Sequence, residues 1–127
     1  MEKGFTLVEV VIVIIIGGIA LIPLLTLFAS TATESSQAEV VSTASFLAKE
    51  KMDTIIADKM SPERGFSYIT SGNYPQENPV NGFNDYVRTV TISPDSVYDS
   101  VTFRTVKVRV QRGTSADVVV TTWVVDH

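Results

Sequence analysis

VVIVIIIGGIALIPLLTLFA, residues 10–29, is the stretch that decides how this chain folds. It holds twenty residues, broken only by Gly17, Gly18, Pro23 and Thr26. At about 1.5 Å per residue a helix of that length spans about 30 Å, the hydrocarbon thickness of a bilayer. The seven β-branched residues from Val10 to Ile16 would read in water as a buried strand. The run continues through Leu21, Leu24, Leu25, Leu27 and Phe28, beyond the length of an ordinary strand. In lipid the backbone must satisfy its own hydrogen bonds, so a single apolar segment has to be helical. A membrane helix is therefore expected. Gly17, Gly18 and Pro23 are its soft points. Pro23 removes one backbone donor and crowds the preceding turn, which predicts a kink or local melting. Membrane helices also tolerate such residues without consequence, and both readings stay open.

Toward the amino terminus the run stops at Glu9, the last charge before Glu34. Position alone allows a headgroup-level carboxylate that reaches water, or a carboxylate awaiting a buried cation. An acid at the bilayer centre costs about 2.5–3.5 kcal/mol on insertion scales. The residues around it are Lys3-Gly4-Phe5-Thr6-Leu7-Val8-Glu9. A short charged leader, a glycine, an aromatic residue and a glutamate four positions on, followed by an apolar run, resembles the cleavage and methylation signal of type IV prepilins and type II secretion pseudopilins. The resemblance covers roughly the first thirty residues.

That resemblance implies cleavage by a prepilin peptidase between Gly4 and Phe5, with N-methylation of Phe5 as the new amino terminus. It implies that Glu9 faces the Phe5 ammonium of its own or a neighbouring subunit. Each buried charge alone costs several kcal/mol, and pairing offsets both while setting axial register. Gly18 falls where such proteins often carry a glycine. Pro23 departs from the major-pilin pattern, whose proline would stand at Thr26, so the major-pilin kink is not carried over. An ordinary secretory signal needs a basic leader, a core of about 7–15 residues and a small-residue cleavage site. Glu2 cancels Lys3, the core is too long, and Ala29-Ser30-Thr31-Ala32 matches such a site poorly.

Beyond the apolar run Val41, Ala44, Ala48, Met52 and Ile55 recur at helical spacing, with Leu47 and Ile56 beside them. Glu34, Glu39, Lys49, Glu50 and Asp53 fall largely on other faces, which makes this an amphipathic helix. Ser61-Pro62 ends it, because the residue before a proline is pushed out of helical geometry. A helix from Phe5 to about Asp58 would be on the order of 80 Å long. Fraying over Ser30 to Gln37 would divide it into two pieces. Too few heptads are present for a coiled-coil seam, and strands follow that need a helix to cover them.

Ser61 to Gly82 reads as a loop region, rich in Pro, Gly and Asn, with a short strand expected at Phe66 to Thr70. Three strands follow, at about Asp85–Ser93, Ser100–Gln111 and Asp117–Val125, rich in Val, Thr and aromatics. Ser93-Pro94-Asp95-Ser96 and Arg112-Gly113-Thr114-Ser115 supply turns for an antiparallel meander. In the second strand the apolar residues change from odd positions (Val101, Phe103) to even ones (Val106, Val108, Val110). A one-residue phase change implies a bulge or a switch of face. Trp123 is expected in the core or in cross-strand packing.

Composition bounds the function. The 127 residues suffice for one small domain. A net charge of −4 argues against sequence-independent nucleic-acid binding, which needs a basic face. Without cysteine there are no disulfides and no thiolate metal sites. His127 is the only histidine and is expected in solvent, which argues against a catalytic triad. Asp95 and Asp99 flank a turn, but their spacing is not a calcium-loop pattern, and turn-forming surface acids are the favoured reading. No catalytic residue, metal site, cofactor or small-molecule substrate is expected.

The fold expected is α+β and pilin-like: a long amino-terminal helix, half membrane and half amphipathic, on a small antiparallel β-sheet. Residues 1–4 are the leader, 5–29 the membrane or filament-core helix and 30–60 its amphipathic continuation. Residues 61–127 hold the loop region and sheet, and form one globular domain with 30–60. The function expected is a minor pilin or pseudopilin of a type IV pilus or type II secretion-like filament, anchored in a bacterial inner membrane with its carboxy-terminal domain outside the cytoplasm. Its expected partners are prepilin peptidase, other pilin or pseudopilin subunits, an inner-membrane assembly platform and membrane lipid. The alternative is a signal-anchored extracytoplasmic binding module that never polymerises.

Overall fold

A computed structural model describes residues 4–126 of the chain; Met1, Glu2 and Lys3 of the expected leader, and His127, lie outside the described residues. Two compact units are present, one through Gln37 and one from Ala38 onward. A single helix, α1 (Leu7–Met60), contributes to both. It is followed by α2 (Gly65–Tyr68), a 3₁₀ turn at Ser71–Asn73, and the strands β1 (Val87–Ile92), β2 (Ser96–Tyr98), β3 (Val101–Arg112) and β4 (Ala116–Val125). The fold is α+β, a long amino-terminal helix packed with a small antiparallel sheet.

In the first unit the helix runs through Gly17, Gly18 and Pro23 without a break. Residues 30–37 are helical as well, in place of the fraying expected there. Hydroxyl groups turn back onto the preceding turn: Thr26 donates to the Ile22 and Pro23 carbonyls, and Thr31 to Leu27. Such bonds let small polar side chains sit in a helix with their hydrogen-bonding capacity met internally.

In the second unit the stripe Val40, Ala44, Leu47, Ala48, Met52 and Ile55 is buried. Val41, placed on that stripe from its spacing, is 43 % exposed, and Val40 takes its position. These side chains join Ile69, Tyr74, Val80, Tyr86, Val90, Val106, Val108 and Val110 in one apolar cluster. Fully burying Leu47 or Ile55 stabilises the unit by about 1.5–3 kcal/mol each.

β3 is the centre of the sheet. It pairs antiparallel with β4 along one side, and with β1 and then β2 along the other. The β3–β4 register runs unbroken from Phe103 opposite Val125 to Arg112 opposite Ala116. The phase change near Arg104 is therefore not a bulge. The strand stays regular and its apolar residues change sides. Val106, Val108 and Val110 face the core, whereas exposed Val101 and half-buried Phe103 lie on the outer face.

Two further expectations fail. Phe66–Thr70 is not a strand; Gly65–Tyr68 is a helical turn, with the Ile69 N–H bonded to the Phe66 carbonyl. The sheet has four strands because Ser96–Tyr98, read as turn and connection, pairs with β3. A two-residue turn, Asp99-Ser100, closes that hairpin, with φ of 49° and 64°. Two successive left-handed residues suit the right-handed twist of the flanking strands, but glycine or asparagine is the usual signature. The β3–β4 hairpin does carry it, with Gly113 at φ 49°.

The segment 69–86 is fastened to α1 by polar contacts. The Tyr74 hydroxyl donates to Asp58 at 2.9 Å, and Tyr86 donates to the Val40 carbonyl at 3.3 Å. Lys51 donates to Glu77 at 2.6 Å. Arg88, 7 % exposed, donates to the Leu47 carbonyl at 2.9 Å, to Glu50 at 2.8 Å and to Glu77 at 2.6 Å. Its Nε is buried without a partner among the described residues. Burial acts to raise the Glu77 pKa, but the hydrogen bonds from Arg88 and Lys51 outweigh it and hold that carboxyl below its ordinary range.

Candidate functional site

The expected processing site lies at the entrance to α1. Gly4 and Phe5 precede the helix outside regular secondary structure, and both are exposed, Phe5 at 79 %. Thr6 is the residue before the first helical turn. Its hydroxyl accepts from the Glu9 N–H at 3.3 Å, and its carbonyl accepts from Val10 N–H at 3.2 Å. A threonine here satisfies one of the donors that a helix start leaves open. Thr6 and Glu9 have the spacing of a capping box, and an acidic residue in the first turn is favoured by the helix dipole.

Glu9 is exposed, and its carboxylate has no hydrogen bond or ion pair among the described residues. From Gly4 to Thr33 it is the one charged residue. Directly after it the apolar side chains stand bare: Ile14 is 67 % exposed, Ile22 69 % and Phe28 74 %. The most apolar window of α1 has a mean hydropathy of 3.0 and none of it is buried. In water such a surface would be strongly unfavourable, at about 25 cal/mol per Å² of apolar area. The segment can thus enter lipid or a bundle of like helices. A cut before Phe5 would leave its new ammonium four residues from the Glu9 carboxylate, at the edge of that surface.

Among the described residues no group of three His, Cys, Asp or Glu is placed to hold a metal. Asp95, weighed above as a calcium ligand, is held by Arg104, whose hydrogen bond keeps the carboxyl below its ordinary range. Trp123 is not in the core. It is 73 % exposed on the outer face of the sheet and packs edge-on against Phe103, with ring centroids 6.4 Å apart.

The buried position of Arg88 was missed from sequence, although a signal existed. Tyr86, Arg88, Val90 and Ile92 share one parity, so period two put the arginine on the core face.

Residues 1–25 match the family described as the prokaryotic N-terminal methylation motif. The match takes in Gly4, Phe5, Glu9 and the apolar run as far as Leu25. No curated protein and no solved structure matches the chain. The chain carries the type IV prepilin signal at the head of a long apolar helix.

Proposed function

We propose that this chain is the precursor of a filament subunit, a minor pilin or minor pseudopilin. The prepilin signal supports a type IV pilin-like precursor and points to a structural subunit rather than an enzyme. In this reading residues 1–4 are a leader that prepilin peptidase removes between Gly4 and Phe5. Phe5 is then N-methylated. Residues 5–29 hold the subunit in the inner membrane and later in the filament core. Residues 30–60 and 61–127 form the domain displayed outside the cytoplasm. Glu9 pairs with the Phe5 ammonium of its own or a neighbouring subunit and sets the axial step of assembly. The observation that carries the reading is the methylation motif standing directly before a helix whose apolar side chains have no protein cover.

The test is intact mass with amino-terminal fragmentation, on the chain expressed with and without a prepilin peptidase. Peptidase-dependent loss of Met1 to Gly4, with one methyl on Phe5, is the expected result. An uncut chain would favour the signal-anchored module instead. Cleavage near Ala32 would release the domain and end the filament reading.

A further inference from the structure

The loop that leads into the sheet is tied down at its ends and bare at its tip. Glu77 and Arg88 exchange backbone hydrogen bonds at 2.9 and 3.0 Å, so the loop covers one end of β1. At the other end of β1 the Ser71 hydroxyl bonds both the N–H and the carbonyl of Ile92. Between them the Val80 N–H donates to the Tyr86 carbonyl at 2.9 Å, and the Phe83 N–H to the Val80 carbonyl at 2.8 Å. With Gly82 at φ 80°, residues 80–83 form a type II turn. Val80 is in the core, 2 % exposed, whereas Asn81 and Gly82 at the corner are exposed. Among the described residues no hydrogen bond holds the Asn81 side chain or the Gly82 N–H.

An asparagine followed by an unhindered backbone N–H is a reactive pair, because its side-chain carbonyl carbon lies one five-membered ring closure from the next nitrogen. The chain has four asparagines, and three are unsuited. Asn78 precedes Pro79, which has no N–H. Asn73 donates its side-chain amide to the Tyr68 carbonyl at 2.7 Å, and the Tyr74 N–H after it is already bonded to the Ser71 carbonyl. Asn84 precedes Asp85, whose side chain crowds the attack and whose charge opposes an anionic amide nitrogen. Asn81 is followed by a residue with no side chain.

We propose that Asn81 is a self-modification site, where the Gly82 nitrogen converts the side-chain amide to a succinimide that water opens to isoaspartate and aspartate. The Gly82 N–H gives its proton to base, and the nitrogen attacks Cγ of Asn81. The N–Cγ bond forms, the Cγ–Nδ2 bond breaks, and the amide takes a proton back and leaves as ammonia. Water then adds to either carbonyl of the ring. Opening at Cγ restores the ordinary chain as aspartate. Opening at the main-chain carbonyl leaves the chain running through Cγ as isoaspartate. Either product adds one negative charge to a chain of formal net charge −4. Isoaspartate also adds one backbone carbon next to Val80, a core residue. Ring closure rotates Asn81 away from the ψ of about 120° that its turn position holds. That rotation breaks the single Val80–Phe83 hydrogen bond, at an exposed loop tip where local opening takes little free energy. The step needs no partner, so it is independent of the filament reading.

The test holds the full chain, folded in detergent, across a series from mildly acidic to mildly basic pH in water enriched in heavy oxygen, and follows each asparagine by peptide mapping. Asn81 should convert at least about tenfold faster than Asn73, Asn78 or Asn84, because glycine leaves the attack unhindered. The rate should rise with pH, and each product should carry one heavy oxygen atom. Isoaspartyl methyltransferase should label the isoaspartate, and Asn81→Gln, which needs a larger ring, should abolish the label. Equal rates at Asn81 and Asn84, a label that survives in Asn81→Gln, or conversion of Asn81 only after unfolding in urea would overturn the inference. So would an intact Asn81 amide in the folded chain once the same segment, as a free peptide, has converted.

Discussion

α1 carries the same kind of side chain in two different circumstances. Leu25, in the first unit, is 65 % exposed, whereas Leu47, in the second, is 1 % exposed. Both sit in regular helix. The difference is in the surroundings, since apolar residues cover every face of the first segment and one stripe of the second. A helix that is apolar all round needs an apolar solvent or many neighbours, and a striped one needs a single partner surface. The second segment has that partner in Val106, Val108 and Val110, all fully buried.

The comparison breaks most readily at those two leucines. Leu47→Ala should cost about 2–5 kcal/mol, since it removes buried methyl groups and leaves a cavity. Leu25→Ala should leave the same transition where it is. Urea unfolding of the processed chain in detergent, followed by Trp123 fluorescence, reads both. Equal shifts would mean that the two segments share one core.

A smaller effect is expected at Arg88. Arg88→Met keeps the bulk, removes the added side-chain donor from the Leu47 carbonyl and leaves the Glu77 carboxylate to Lys51 alone. Breaking a buried ion pair costs about 3–5 kcal/mol, and the partly exposed partners bring the expectation to about 2 kcal/mol. Glu77→Gln in the same background should then cost less than it does in the parent chain. Additive losses would show that the two residues act separately.

The smallest effect is the pH dependence of Glu77. Its carboxyl is held below the ordinary value of 4.5, so its contribution is complete above that value. The contribution is lost as pH falls through the folded-state pKa. With a quarter of the side chain exposed, it should amount to less than about 1 kcal/mol. Tm profiles of the parent chain and Glu77→Gln should converge as the pH is lowered below about 4.5. Parallel profiles would remove Glu77 from the account.

Legibility in the sequence differed along the same division. The membrane-type segment was plain because an uncharged run longer than a strand has one solution in lipid. The stripe from Ala44 to Ile55 was plain because period 3.6 survives in it, and only the choice between Val40 and Val41 went wrong. Strand β2 was missed because its hairpin turns at Asp99-Ser100, without the glycine or asparagine that marks left-handed turns. The helical turn at Gly65–Tyr68 is not legible as one, because four residues carry no measurable period. Of the two placements expected for Trp123, core or cross-strand packing, the structure has the second, against Phe103 of the neighbouring strand, and the parity of Val118, Val120 and Val124 agrees with that outer face. The match at residues 1–25 ends well before the sheet begins at Val87.

The covered β1 edge has a further consequence, which concerns valence. A sheet with two open edges can be extended from both, and successive copies then grow into a fibre. Here Glu77 exchanges backbone hydrogen bonds with Arg88, and the Ser71 hydroxyl bonds Ile92, so both ends of the β1 edge are occupied. A strand added on the other side of the sheet would find this far edge largely taken, which opposes further growth through it. The loop between helix and sheet thereby acts as a partial stopper against strand pairing.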